Sequence, residues 1–368
     1  KMHIPVTQDR HGICQITALK ILPKFLPQVE EMDISWNELI GGSLTALTSH
    51  LQHVGEVRTL RLCSCRLNSE DVVALGGSLR CLPSVGELDL SCNKLLAGGL
   101  SRLTFHLAHV THLERLDLHL CCLTRDDLEA LIQVLPSLTA LTELDVSSNK
   151  EVGGVVHSLV SALPVTQMRR LPFNSCYLSN ESFTALGNTH THTHTCLPEM
   201  VKLCVYASAL AVPYLRTVDI SWCKVVGGHL ALLLDALQPS VVSELHLCSC
   251  ELTTDDMQHL AAVCRRGCLS SLRALDLSYN SSVGDNGWCS LFAAGGLGSL
   301  EDVDVSLRPS TSAPCSAWLP ALLRALPQMP ALARLAVQRW TADCQEGEQL
   351  RYCLKKRSFY VPLLSHCH

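Results

Sequence analysis

An apolar residue opening a short alternating run recurs at Met32, Leu60, Leu88, Leu116 and Leu144, a strict step of 28 residues. It returns at Leu171, Val218, Leu245, Leu275 and Val303, with one long interruption between Leu171 and Val218. A unit this short cannot bury an apolar face alone, so the copies must stack and share one continuous core. In the complete unit from Leu116 to Leu144, Leu116, Leu118 and Leu123 alternate as a strand does. Thr124 to Asp127 then open a helix whose apolar face is Leu128, Leu131, Val134 and Leu135, and Pro136 closes it.

Two forms of the unit alternate. One reads LDLSCNKLLAGGL from Leu88, with near-copies at Met32, Leu144, Val218 and Leu275; the other reads LRLCSCRLNSEDVVAL from Leu60, with copies at Leu116, Leu171 and Leu245. Five residues after each opening hydrophobe stands either Asn (Asn37, Asn93, Asn149, Asn280) or Cys (Cys65, Cys121, Cys176, Cys223, Cys250). A buried Asn at the end of a strand satisfies backbone groups, and Cys fills the same space as a small hydrophobe. This ladder is architecture and carries no catalysis.

The helix starts alternate too. Thr124/Asp127 and Thr253/Asp256 read as N-caps with an acidic first turn, and Asn68/Asp71 and Ser179/Glu181 are looser versions. The pairs Asp126/Asp127 and Asp255/Asp256 are therefore assigned to helix dipoles, not to calcium or catalysis. The other form carries Gly41-Gly42, Gly98-Gly99, Gly153-Gly154 and Gly227-Gly228, turn glycines without a phosphate-loop spacing.

The pattern L-x-L-x-x-(N/C)-x-L at this step resembles the leucine-rich repeat in its long, ribonuclease-inhibitor-like form. The implied fold class is α/β: an open curved solenoid with parallel strands on the concave side and helices on the convex side. Residues 1–30 read as a partial first repeat, with a helix in Ile13–Val29 and its strand absent or degenerate in Lys1–Gly12. Residues 31–310 form an array of about ten units, and residues 311–368 a C-terminal cap. The tract around Thr189–Thr195 places His190, His192, His194 and Cys196 on one extended face, a spacing zinc or nickel can use. It is equally low-complexity sequence, and the expectation is a disordered insertion near 188–206 with no metal.

More specific segments are Ser35-Trp36-Asn37 with Gly41-Gly42, Ser221-Trp222 with Gly227-Gly228, Leu275–Asn280, and Ser306–Ser310. On these the chain resembles the leucine-rich repeat-containing protein 31 family, from about Met32 to Trp340. The resemblance implies a non-enzymatic intracellular repeat protein with no catalytic residues to transfer. The chain departs from that family in its start, in Cys223 where Asn is expected, and in the His-Thr tract.

A net charge of −5 argues against nucleic acid as the main partner. No apolar run is long enough to span a membrane. Many of the 20 cysteines recur at one repeat position instead of pairing along the chain, which suits a reducing, cytoplasmic compartment. No GxSxG, HExxH, kinase signature or paired CxxC occurs, so no enzyme activity and no cofactor are expected. Cys63 and Cys248 of the two CxC segments are expected to be exposed on the concave side.

The candidate function lies on that side. Asp33, Asp89, Asp145, Asp219 and Asp276 repeat as Asp-x-Ser, with Arg61, Asp117, Pro172 and His246 on intervening strands. Aspartates on alternate strands stand roughly 10 Å apart. They read either as an acidic track for a basic protein partner, with Trp36, Trp222 and Tyr279 as anchors, or as repeat grammar in which each Asp bonds a neighbouring strand. The function expected is a protein–protein scaffold; the alternative is an enzyme inhibitor resembling ribonuclease inhibitor.

Overall fold

The computed structural model describes residues 2–3, 29–51, 55–164, 167–178, 214–236, 241–355 and 365–366. They belong to two compact units, Lys1–Tyr177 and Leu178–His368. The His-Thr tract, the Ser179/Glu181 helix start and the tail residues Lys356, Arg357, Phe359 and Tyr360 lie outside the described residues.

In the first unit the strands lie side by side in chain order: Met2–His3 (β1), Glu31–Asp33 (β2), Thr59–Arg61 (β3), Glu87–Asp89 (β4), Arg115–Asp117 (β5), Glu143–Asp145 (β6) and Arg170–Pro172 (β7). All pairings are parallel. Of the two alternatives for Lys1–Gly12, an absent or a degenerate strand, the second applies: Met2 pairs with Met32 in a strand of two residues. A two-residue strand carries too little sequence to show the repeat pattern, and an open sheet edge recruits it through backbone bonds alone.

The second unit holds Thr217–Asp219 (β8), Glu244–His246 (β9), Ala274–Asp276 (β10), Asp302–Asp304 (β11), Ala313–Pro314 (β12), Arg334–Ala336 (β13), Trp340–Ala342 (β14) and Ser365–His366 (β15). Here β8 to β11 and β13 pair in parallel, and β12, β14 and β15 make a small separate parallel sheet. The sheet thus runs on past residue 310, since Val303 pairs with Leu335.

Each long strand has three residues, and the repeat's opening hydrophobe is the middle one. Met32, Leu60, Leu88, Leu116 and Leu144 are at most 3% exposed, while their flanking residues stay half-buried or exposed on the other face. Helices return on the buried side. In Arg125–Val134 the inward residues are Asp127, Leu128, Leu131 and Val134, and a 3₁₀ turn at Leu135–Ser137 carries Pro136.

The Asn ladder uses both ends of its amide. Asn93 Nδ2 donates to Leu62 O (2.9 Å) and Leu90 O (2.8 Å), and its Oδ1 accepts from the N–H groups of Cys65 and Leu67, both at 3.0 Å. Asn149 and Asn280 repeat this pattern. The cysteine rungs are simpler: the thiols of Cys65, Cys121 and Cys250 each donate to one carbonyl of the preceding repeat at 3.2 Å. Cys176 and Cys223 are buried as well, each 2% exposed.

The alternation of the two forms has a direct cause. Asp71, Asp127 and Asp256 close capping boxes on their own helices. The same carboxylates also reach the preceding repeat, accepting from Gly42 and Leu44, from Gly98 and Leu100, and from Gly228 and Leu230 at 2.6–3.1 Å. One buried acid therefore serves two helix N-termini, and the glycine form needs no cap of its own. Gly41 must be glycine because a Cβ there would lie 2.2 Å from Arg66 O; Gly227 stands likewise 2.1 Å from Glu251 O.

Candidate functional site: the open strand face of each unit

Outward-facing residues of successive strands pair Cα to Cα. In the first unit this gives the row Asp33, Arg61, Asp89, Asp117, Asp145. In the second it gives Asp219, His246, Asp276, Asp304 and then Ala336. The acids are thus not confined to alternate strands. Asp89, Asp117 and Asp145 sit on three consecutive strands, whose spacing is about 4.8 Å.

The Asp-x-Ser grammar is local. Oδ1 of Asp33, Asp89, Asp117, Asp145, Asp219, Asp276 and Asp304 accepts the N–H two residues on, at 2.9–3.1 Å. Each aspartate therefore ends its own strand in an Asx-type turn through Oδ1, while Oδ2 of Asp145 and of Asp304 also meets an arginine of the next strand, at 3.6 and 3.7 Å. The serines make the cross-strand bonds: Ser35 Oγ accepts from Cys63 N (3.1 Å) and Ser221 Oγ from Cys248 N (3.3 Å).

Charge on the face is partly compensated. Arg61 is clamped by Glu31 (2.7 Å) and Glu87 (2.9 Å). Burial pulls its pKa down, but the two glutamates outweigh this and hold it above its ordinary value. Arg115 meets Glu143 at 3.1 Å, Arg170 meets Asp145 at 3.6 Å, and Arg334 meets Asp302 at 2.8 Å. His246 lies 3.7 Å from Glu244. Asp117, buried between two acids, has its carboxyl pushed up to about 7, first by desolvation and then by Asp145 and Asp89. Burial likewise raises Asp304.

The three aromatic candidates take backbone conformations that their side chains rarely adopt. Trp36, Trp222 and Tyr279 have φ of 65°, 63° and 62°. Trp36 is 64% and Trp222 51% exposed, and Tyr279 is half-buried. The rings of Trp222 and Tyr279 meet edge-on, 6.1 Å between centroids.

The two cysteines expected on the open face are less available than their spacing suggests. Cys248 is only 8% exposed and Cys63 half-buried. Burial pushes their thiols up to about 11 and about 12, which disfavours the reactive thiolate.

Two residues escaped the sequence reading. Trp340 stands five residues after Leu335, the ladder spacing, and its Nε1 donates to Val305 O at 2.8 Å, where an Asn rung would. Arg308 occupies a ladder position too, but its side chain leaves the core and reaches Ser249 Oγ at 2.5 Å. The spacing already puts Arg308 at the ladder position in the sequence, where only its contact with Ser249 was missed; for Trp340 the same spacing was the signal and the residue type concealed it.

Comparison with known proteins agrees with this repeat. The family model described as "Leucine Rich repeat" matches residues 268–288. The chain is 30% identical over 259 residues to mouse NACHT, LRR and PYD domains-containing protein 14, covering 69% of this chain and 24% of that protein. It is 34% identical over 157 residues to pig ribonuclease inhibitor, covering 42% of this chain and 34% of the inhibitor. The chain therefore spans about a quarter to a third of these relatives. An internalin from Listeria monocytogenes aligns in structure over 97% of this chain and 90% of its own, at 15% identity and a TM-score of 0.48. The fold is a leucine-rich repeat array, similar at modest identity to ribonuclease inhibitor and NACHT-domain proteins. Among the described residues, no helix is long and apolar enough to cross a membrane, and no three His, Cys, Asp or Glu side chains converge as metal ligands.

Proposed function

We propose that this chain is a non-catalytic cytoplasmic scaffold that binds a protein partner, basic at the contact, along the open strand faces. The observation that carries this reading is the in-register run Asp89, Asp117, Asp145. Each has one oxygen fixed by its own turn, and among the described residues only Asp145 makes an ion pair with an arginine. Side chains held this way are pre-organised for lysine or arginine, and their field steers a basic partner. The resemblance to the leucine-rich repeat-containing protein 31 family, which rests on the segments around Trp36, Trp222 and Arg308, supports such a role. The test compares wild type with Asp89→Lys/Asp145→Lys/Asp219→Lys in pull-downs at low and moderate salt. Identical bound proteins in both would refute the acidic contact surface.

The 34% identity to pig ribonuclease inhibitor favours a second reading, inhibition of a ribonuclease. It is tested by titrating the chain into a pancreatic-type ribonuclease assay. Undiminished turnover at micromolar chain removes it.

A further inference from the structure

The end of the open face in the second unit carries a different chemistry. Trp222, Ser249 and Tyr279 each stand three residues past the paired positions Asp219, His246 and Asp276. They therefore occupy equivalent places on three adjacent strand ends, and all three have positive φ (63°, 54° and 62°). The outer two put their rings edge-on, 6.1 Å apart, across the serine between them. Ser249 itself is 1% exposed.

Onto this serine comes Arg308, from the strand end beyond Tyr279. Its Nη2 donates to Ser249 Oγ at 2.5 Å, spanning 59 residues of chain, while its Nε is buried without a hydrogen-bond partner. Arg308 has no ion pair among the described residues. Arg61, by contrast, pairs with Glu31 and Glu87, Arg115 with Glu143, Arg170 with Asp145 and Arg334 with Asp302.

A guanidinium tied to a neutral hydroxyl, half-buried and lacking a carboxylate, keeps an uncompensated charge in a partly desolvated place. Its planar donors match a carboxylate, and the charge-assisted bonds so formed are about twice as strong as neutral ones. The tether to Ser249 removes rotamer freedom that an arginine otherwise loses on binding. The exposed ring of Trp222 and the half-buried ring of Tyr279 beside it offer a platform for an apolar neighbour of that carboxylate.

We propose that Arg308, with Trp222 and Tyr279, forms a docking point for a glutamate or aspartate side chain of a partner protein that is flanked by an aromatic residue. The site lies at the strand ends, separate from the Asp219/Asp276 row, and does not depend on the basic-partner reading. A partner using both surfaces is acidic at one end of its contact and basic at the other.

The test uses the whole chain and three capped dipeptides, acetyl-Phe-Glu-amide, acetyl-Phe-Gln-amide and acetyl-Phe-Lys-amide. Binding is followed by NMR shifts of the Trp222 indole N–H and the Arg308 Nε–H. The Glu peptide is expected to saturate in the millimolar range, with the Gln peptide at least fivefold weaker. Arg308→Gln should erase the preference for Glu over Gln. Ser249→Ala, which keeps the charge but frees the arginine, should reduce affinity two- to threefold. Asp219→Asn/Asp276→Asn should leave the preference intact, so the site and the carboxylate row fail or stand separately. Tighter binding of the Lys peptide, a Glu preference that survives in Arg308→Gln, or no saturable shift with any peptide would each overturn the proposal. Unchanged melting temperatures exclude misfolding as the cause of a loss.

Discussion

Replacing Asp127 tests whether the two alternating repeat forms are one mechanical unit. Its side chain is 1% exposed and accepts four hydrogen bonds. Two come from its own capping partner (Thr124 N at 3.0 Å, Thr124 Oγ1 at 2.8 Å) and two from the preceding repeat (Gly98 N at 2.7 Å, Leu100 N at 3.0 Å). In Asp127→Ala, Leu100 N is left buried without an acceptor, a penalty of about 1–3 kcal/mol. Gly98 N and Thr124 N are nearer solvent and recover part of theirs, leaving a loss of about 1–2 kcal/mol together with the cap. The expected destabilisation is about 2–5 kcal/mol; Asp127→Asn, which keeps one acceptor oxygen, should lose roughly half of it. Asp126 is exposed, and Asp126→Ala should change stability by no more than about 0.5 kcal/mol. Urea unfolding followed by circular dichroism measures all three. The urea slope should also fall in Asp127→Ala, because the interface between neighbouring repeats weakens and the array stops unfolding as one. An Asp127→Ala variant within about 1 kcal/mol of wild type, with an unchanged slope, would refute the shared-cap account.

Three further outcomes follow from the same structure. Gly41→Ala should destabilise by about 2 kcal/mol or more because its Cβ meets Arg66 O, whereas Gly77→Ala, in open space on the helix Ser69–Leu79, should stabilise by about 0.5–1 kcal/mol; thermal melts distinguish them. Trp340→Phe leaves Val305 O without the indole donor and should cost about 1–3 kcal/mol in chemical denaturation. Asp117 gives a pH dependence: its carboxyl ionises near about 3.9 when unfolded and at about 7 when folded. Between those values the folded state binds more protons, so stability falls as pH rises through the window. Asp117→Asn should flatten that part of the stability–pH curve, and an unchanged slope would reject the shift.

The stacked αβ repeat was legible in the chain because its signal is a period. Twenty-eight-residue spacing and the Asn/Cys position locate the middle residue of nearly every strand. Capping residues were legible too, since Thr124-x-x-Asp127 obeys a rule confined to one helical turn. The rows of open-face acids followed from the same register. Their bonding did not, because an Asp two residues before a Ser is compatible with either a local turn or a cross-strand contact.

What the sequence determined on its own is therefore everything governed by neighbours along the chain: strand, turn, helix, and which side of each faces the core. Only the tertiary structure decided that Asp71, Asp127 and Asp256 each cap two repeats, that Trp340 substitutes for a rung, and that Arg308 crosses to Ser249. Those contacts join residues 26 to 59 positions apart. Their existence depends on which backbone amide, carbonyl or hydroxyl a neighbouring repeat leaves unpaired, and that is settled only when the repeats pack.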